Sequence, residues 1–452
     1  MKISDNIHKL ESGEFDEQEK KVFDLVLKAC NKFSPPVIAR VAGGWVRDRI
    51  LGKASNDIDL AIEGAKCTNF GELLLKEAGI ENEKNKMVVI AANPEMSKYM
   101  ETVRVCLFPK FWIDICNLRP ADLNANEGGT AKTDADRRDI TINALFFNIN
   151  TRKVEDLVGG ISDIENKLIR TPVNPILTFS EDPLRLVRVI RFAAKYGFHI
   201  DQSIFDSIPQ VKEKFQNNVT RERITAELLK MFETTTTAKI ATDLIFKSTL
   251  FTPIFNPENL FQINEETSFQ RIQIALSRCN SNEKVFDIFL SAAYYDLPSL
   301  GKMADPLKPT KKIDPIEYVV VRQIKIPVKN ADFISALIKS EKTVETLKNN
   351  LNRLSVGHWI RQIKKEWPLT KCLIFDDNTL QFFDNVLVKF VNDEKMEELI
   401  DMKPLFNGRQ LADLHNISPG PQLKQYVEQL ADWQIMNPNG KPEEYKAHIK
   451  VK

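Results

Sequence analysis

The spacing of apolar positions changes character along the chain. Residues 17–31 carry a helical pattern. VIARVAG (37–43) reads as a short strand ending in glycine, and GWVRDRILG as a helical turn closed by Gly52. NDIDLAIEG (56–64) alternates cleanly and reads as a strand, as do KMVVIA, ETVRVCLF and KFWIDICNL (110–118). These segments predict a mixed sheet with flanking helices up to about residue 150. RPADLNANEGGTAKT, between Leu118 and Asp134, is polar, with Pro120 and the pair Gly128–Gly129, and reads as a mobile loop. After about residue 180 helical patterns dominate, at 181–196, 221–233, 265–279, 330–349 and 422–436. MADPLKPTKKIDP (303–315) is rich in Pro and Lys and reads as a linker or exposed loop. No internal repeat is visible.

Composition narrows the class. The 452 residues suffice for two to four domains. With 63 Lys+Arg against 62 Asp+Glu, overall charge announces no nucleic-acid partner; local basic patches must serve one. The six cysteines are scattered, without a CxxC or a histidine cluster, which argues against a zinc site and for a reducing compartment without disulfides. No apolar run reaches the roughly 20 residues of a membrane span. The start, MKISDNIHKLESGEFDEQEK, has no apolar core, which disfavours a signal or transit peptide. The expected setting is the cytoplasm, with nuclear or mitochondrial pools open.

VAGGWVRDRILGKASNDIDLAIEG (41–64) holds the densest candidate chemistry. A strand has a side-chain period of two, so Asp57 and Asp59 share one face, while Ile58, Leu60 and Ile62 share the other. Two like charges at that spacing repel unless something neutralises them. Hard divalent cations do so, and carboxylate oxygens are ligands that magnesium prefers. Gly43 and Gly44 stand between a strand and a helix, where bare backbone N–H groups approach an anion closely. Alone, a DxD is an ordinary solvated face and a GG an ordinary turn. Together they give a phosphate cradle beside a metal site, the ground plan of two-metal nucleotidyl transfer, in which the ions lie ~3.5–4 Å apart. Asp114, between Ile113 and Ile115, projects away from its strand's apolar face and is the candidate third carboxylate.

G-G-W-V-R-D followed by N-D-I-D-L resembles the first signature of the DNA polymerase β nucleotidyltransferase superfamily, and within it the class II tRNA nucleotidyltransferases, the CCA-adding enzymes and their poly(A) polymerase relatives. Further blocks agree in order: ADRRDITINALFF (135–147), DLVGGISDIENKLIRTP (156–172), SEDPLRLVRVIRF (180–192) and RERITAELLKMF (221–232). The resemblance is strong over about residues 37–235. It returns in the C-terminal GxxL…ISPGP…WQ…NP pattern, which looks like the tail of eukaryotic CCA-adding enzymes.

The resemblance implies an α+β protein: a polymerase-β-like head with a mixed sheet, followed by helical neck, body and tail. The expected division is 1–150 (head), 151–235 (neck with a nucleotide-selecting helix), 236–365 (body) and 366–452 (tail). It implies addition of CCA to the 3′ end of tRNA from CTP and ATP with two Mg²⁺. Asp57 and Asp59 would bind both ions, and Asp114 would complete the catalytic set. Gly43, Gly44 and Arg47 would hold or support the triphosphate. Arg137, Arg138, Asp139 and Asn143 would serve the nucleotide; cations suit its ribose and triphosphate. Ser180 is the expected N-cap of the next helix, with Glu181, Asp182 and Pro183 in its first turn. Asp182 and Arg185 would then share a face and read the base edge with acceptors and a donor fork, Arg188 beside them. As a bare surface ion pair the two are worth well under ~1 kcal/mol. Gly159 and Gly160 give the freedom of a hinge, anchored by Arg170.

Two stretches are locally basic: 302–329, with Lys311 and Lys312, and HWIRQIKKEW, with Arg361, Lys364 and Lys365. Carried on helices, they would follow phosphates of the acceptor stem and T arm. A monomer is expected rather than a dimer. Only PADLNANEGGTAKTDAD separates Arg119 from Arg137, shorter than in the eukaryotic enzymes the chain resembles, which keeps a CC-adding enzyme as an alternative. Poly(A) polymerase is disfavoured by the tail, and a non-catalytic tRNA-binding protein by the retained carboxylates.

Overall fold

The computed structural model describes residues 2–55, 57–92, 100–122, 128–418 and 420–451. Asn56 and five residues of the expected loop, 123–127, lie outside these, as does Pro419 of the tail motif. The chain forms two compact units, residues 1–227 and 228–452.

The first unit is built on a seven-stranded mixed sheet. Its strands are β1 (Ile38–Ala42), β2 (Asp59–Glu63), β3 (Met87–Ile90), β4 (Thr102–Phe108), β5 (Phe111–Asn117), β6 (Phe146–Asn148) and β7 (Lys153–Glu155). They lie in the order β3-β4-β5-β2-β1-β6-β7. β2 and β5 run parallel and the other neighbours antiparallel. The sheet thus runs a little beyond residue 150, because β7 pairs with β6.

Ten helices complete this part of the chain: α1 (Ile3–Ser12), α2 (Glu17–Cys30), α3 (Gly44–Ile50), α4 (Cys67–Glu77), α5 (Ala131–Asp136), α6 (Gly160–Glu165), α7 (Pro175–Glu181), α8 (Arg185–Tyr196), α9 (Gln202–Asn218) and α10 (Arg221–Met231). One face of the sheet is covered by an aromatic cluster of Phe15, Phe23, Trp45 and Phe147, with ring centroids 4.9–6.2 Å apart. The start of α2 is fixed by a capping box, Asp16 accepting from the Glu19 N–H at 2.7 Å and Glu19 from the Asp16 N–H at 3.0 Å. Glu19 also accepts the Trp45 indole N–H at 3.0 Å, so the cap serves the core as well. α4 lies on β4, close enough that a methyl on Gly71 would meet Val103 at 3.0 Å.

Three further expectations in this unit need correction. Ala131, Lys132 and Thr133, read as loop, open α5, because the Thr130 hydroxyl accepts from the Thr133 N–H and caps it. Ser180 does not cap a helix; it lies inside α7, which begins at the Asn174 cap with Pro175 at its first position. Asp182 ends that helix in extended backbone, since it precedes Pro183, and α8 starts only at Arg185.

The second unit is mostly helical, with helices at Thr235–Lys247, Glu265–Arg278, Val285–Ala293, Val328–Leu347, Arg353–Ile363 and Leu423–Met436 among others. Val285–Ala293 is buried along its whole length and forms the centre of this unit. The stretch read as a linker is instead a two-stranded hairpin, Met303–Asp305 against Lys308–Ile313. Its second strand is exposed at every residue except Ile313, so no alternation marks it in the sequence.

Gly159, at φ +83°, opens the turn before α6, whose N–H groups converge on Asp156 at 2.8–2.9 Å. A methyl on Gly160 would stand 2.5 Å from the Thr141 carbonyl oxygen. Gly160→Ala therefore forces backbone movement costing about 1–3 kcal/mol, a drop of several degrees in Tm. Thermal unfolding of the variant checks this; an unchanged Tm would show that the turn yields freely.

Candidate active site

Asp59 and Asp114 are direct partners in the parallel pairing of β2 and β5. Asp59 and Asp57 are exposed while Ile58, Leu60 and Ile62 are buried, the division that alternation predicts. Asp57 precedes the first residue of β2. Asp114 is half-buried and receives both arms of Arg104, at 2.7 and 3.0 Å, from the neighbouring strand β4. Asp59 touches solvent, yet the surrounding protein desolvates it. That burial, then the charges of Asp114 and Asp57, raise its carboxyl from the usual 3.8 to about 6, against Arg138 and Arg104. Among the described residues no three acidic or other ligating side chains are drawn together tightly enough to hold an ion unaided. The all-oxygen donors and the like-charge crowding at Asp59 nevertheless fit a divalent cation that takes its other ligands from a polyphosphate.

On the other side of β2, the turn after β1 comes close to the carboxylates' strand. Gly43 has φ +65°, and a Cβ there would lie 3.0 Å from a guanidinium nitrogen of Arg138. Arg138 is held by the buried Asp134 at 2.8 Å, and Asp134 also accepts from the Arg119 backbone N–H at 3.1 Å. Arg137 grips Glu181 and donates to the carbonyls of Pro120 and Ala121.

Behind this surface runs a buried polar chain. Arg47 donates to the Asn143 side-chain oxygen and, at 2.9 Å, to Asp48, and lies 5.0–5.2 Å from the Tyr196 and Phe192 ring centres. Asn143 donates to Asp139 at 3.0 Å. Asp139 receives Arg188 at 2.7–2.9 Å, and Glu227 receives Arg188 and Arg191. Burial alone would raise the Asp139 carboxyl, but the Arg188 charge and the hydrogen bonds from Asn143 and Arg188 outweigh it and hold it well below the usual range. Asp139 in turn raises the Arg188 guanidinium.

Residues 39–170 match the poly A polymerase head domain, and residues 197–260 match the probable RNA and SrmB-binding site of polymerase A. The chain is 32% identical to the tRNA nucleotidyltransferase cca1 of Schizosaccharomyces pombe over 96% of both proteins. The chain belongs to the CCA-adding tRNA nucleotidyltransferase family. It is also 28% identical to the mitochondrial CCA tRNA nucleotidyltransferase of Saccharomyces cerevisiae, over 95% of this chain and 90% of that one. A CCA-adding enzyme solved with CTP shares its fold, with a TM-score of 0.70 at 20% identity over 98% of each chain.

In this nucleotidyltransferase the side chains of the two residues expected to read the base are not bonded to each other; only the Arg185 backbone N–H meets the Asp182 carbonyl, at 3.1 Å. Asp182 accepts from Arg223 of α10 at 2.7 Å and from the Leu184 N–H at 3.2 Å. Arg185 is buried and donates to the Thr178 carbonyl and Glu181 at 3.2 Å, and to the Arg137 carbonyl at 2.9 Å. The break at Pro183 explains this, since it takes Asp182 off the helix that carries Arg185. Arg170 pairs with Asp163 at 3.0 Å, and Gly159 approaches the same guanidinium. Lys311 and Lys312 stand on the exposed hairpin rather than on a helix. Arg361 is on the helix Arg353–Ile363, with Lys364 and Lys365 exposed just beyond it.

Sequence reasoning missed Arg104, Arg119, Asp134, Glu181, Arg223 and Glu227. Most are charges paired across distant segments, and spacing along the chain gives no signal for such pairs.

The folded protein holds the Asp59 proton more tightly than the unfolded chain. The stability this contributes is complete below about pH 4 and lost as pH rises through about 6. In magnesium-free buffer, Asp59→Asn is expected to raise Tm at pH 7–8, with the gain vanishing as pH falls from 6 to 4. A pH-independent difference in thermal unfolding would contradict the crowding of carboxylates.

Proposed function

We propose that this chain adds cytidine, cytidine and adenosine to the 3′ end of tRNA, taking CTP and ATP as substrates. The observation that carries the reading is the register of Asp59 beside Asp114, next to a glycine turn that admits Arg138. The family membership supports the same chemistry. Asp57 and Asp59 would hold two Mg²⁺ ions, which supply charge neutralisation for the attacking hydroxyl and the leaving pyrophosphate.

The side chains take distinct parts. Asp114 accepts the hydrogen bond of the 3′-hydroxyl and draws off its proton. Gly43 and Gly44 let backbone approach the triphosphate, and Arg138 and Arg137 face its charge. Arg47, Asp139, Asn143 and Arg188 brace that wall from behind. Asp182 and Arg185 read the base by exchanging Arg223, Glu181 and the main-chain carbonyls for its edge. Gly159, Gly160 and Arg170 form the hinge between head and neck. Lys311, Lys312, Arg361, Lys364 and Lys365 follow tRNA phosphates of the acceptor stem and T arm.

The proposed domains are a head over 1–150, a neck over 151–235, a body over 236–365 and a tail over 366–452. No helix among the described residues is long and apolar enough to cross a membrane. We place the protein, as a monomer, in the cytoplasm; the mitochondrial designation of the yeast relative supports a mitochondrial share. The short segment between Arg119 and Arg137 favours a second reading, an enzyme that stops after CC and leaves the adenosine to a partner.

Two substitutions test the assignment of parts. Asp59→Ala should reduce incorporation by at least about a thousandfold while tRNA binding, read by filter retention, stays within about threefold. Arg185→Ala should blur the choice among CTP, ATP, UTP and GTP more than it weakens tRNA binding. Normal extension by the first variant would remove the metal assignment; unchanged selectivity in the second would remove the base-reading role.

A further inference from the structure

The open face of the sheet beyond the carboxylates has no part in the assignments above. Val88 on β3 pairs with Arg104, Arg104 with Asp114, and Asp114 with Asp59. These four side chains therefore form one row across four strands. Trp112 lies two residues before Asp114 on β5, so alternation puts it on the same face. Val88 is 47% exposed and Trp112 38%. The other tryptophans are used inside the protein. Trp45 donates to Glu19, Trp359 to Ser340 and Trp367 to Glu397, and Trp433 packs edge-on against Tyr445. Among the described residues Trp112 has neither a ring partner nor a hydrogen bond for its indole.

The sheet order gives this face a direction. Gly43 follows β1, on one side of the carboxylates; β4 and β3 lie on the other. In phosphoryl transfer the attacking and leaving oxygens stand roughly in line on opposite sides of the phosphorus. With the triphosphate held on the β1 side, the 3′-hydroxyl enters from the β4 side, across Arg104 and Trp112. An aromatic face next to a guanidinium is the chemistry that holds single-stranded RNA, the ring stacking on a base and the cation meeting a phosphate.

We infer that Trp112 is the stacking platform for the terminal base of the RNA being extended, with Arg104 as the adjoining phosphate contact. This rests on the reaction proposed above. The site takes a single-stranded 3′ end and is separate from the groups that select the incoming nucleotide. Arg104 pairs with Asp114 in this structure, and it becomes available to a phosphate when Asp114 turns to the hydroxyl.

The test is single-turnover CTP incorporation into tRNA that ends in the first cytidine, with the terminal nucleotide either intact or abasic. Trp112→Ala should raise the tRNA concentration giving half-maximal rate about tenfold and leave that for CTP unchanged. Trp112→Phe, which keeps a ring, should stay within about threefold of the parent. The abasic tRNA should erase the difference between parent and Trp112→Ala, because no base is left to stack. Equal losses on intact and abasic tRNA would show a merely structural role and overturn the inference, as would an unchanged tRNA dependence. If the parent protein extends neither tRNA, the proposed reaction fails first and this inference with it.

Discussion

The buried chain of polar groups from Arg47 through Asn143, Asp139 and Arg188 to Glu227 and Arg191 ties the first unit together around its site. Its members come from α3, the segment 139–143, α8 and α10, four segments spread over 180 residues of sequence. Each named charge in it meets an opposite charge or a polar partner, which is the condition for holding charge in a protein interior. Removing Arg188 leaves the buried Asp139 without its ion-pair partner, at a cost of roughly 3–5 kcal/mol. The glycine turn after β1 and the RRD segment therefore cannot shift independently of α8.

That constraint divides the site into two kinds of surface. The wall behind the expected triphosphate is rigid, because Arg138 is fixed by Asp134, and Asp134 by Arg119. The carboxylates are not shielded in this way. Asp57 and Asp59 are exposed and mutually repelling, and Asp114 is answered by one cation from the next strand. Fixed cations on one side and unsatisfied anions on the other suit a ligand that brings both phosphate and metal. The proposed base-reading pair sits between these extremes. Asp182 and Arg185 are partnered inside the protein, so in the proposed role, reading a base would mean trading one set of hydrogen bonds for another.

Much of this was legible in the sequence. The strands around the carboxylates, the helix after Gly43 and the alternation that exposes Asp59 over buried Leu60 all follow from period and turn chemistry. The register that sets Asp59 against Asp114 did not, because pairing between residues 55 positions apart leaves no local trace. The break between Asp182 and Arg185 carried a readable signal: a residue before proline is pushed out of helical backbone, and Asn174-Pro175 marks a helix start upstream. It was hidden because Ser180, Glu181, Asp182 and Pro183 also suit the cap and first turn of a helix. The basic hairpin at 303–313 was illegible for another reason, since its exposed strand has a single inward residue, Ile313, and no alternation to detect.

The most direct measurement is to incubate the protein with tRNA ending at the discriminator base, Mg²⁺, CTP and ATP, and to sequence the 3′ ends. The account predicts ends reading CCA, which would show that the short segment between Arg119 and Arg137 suffices for the switch to adenosine. Ends that stop at CC would replace it with the partner-dependent reading. Ends that remain at the discriminator base would contradict it altogether.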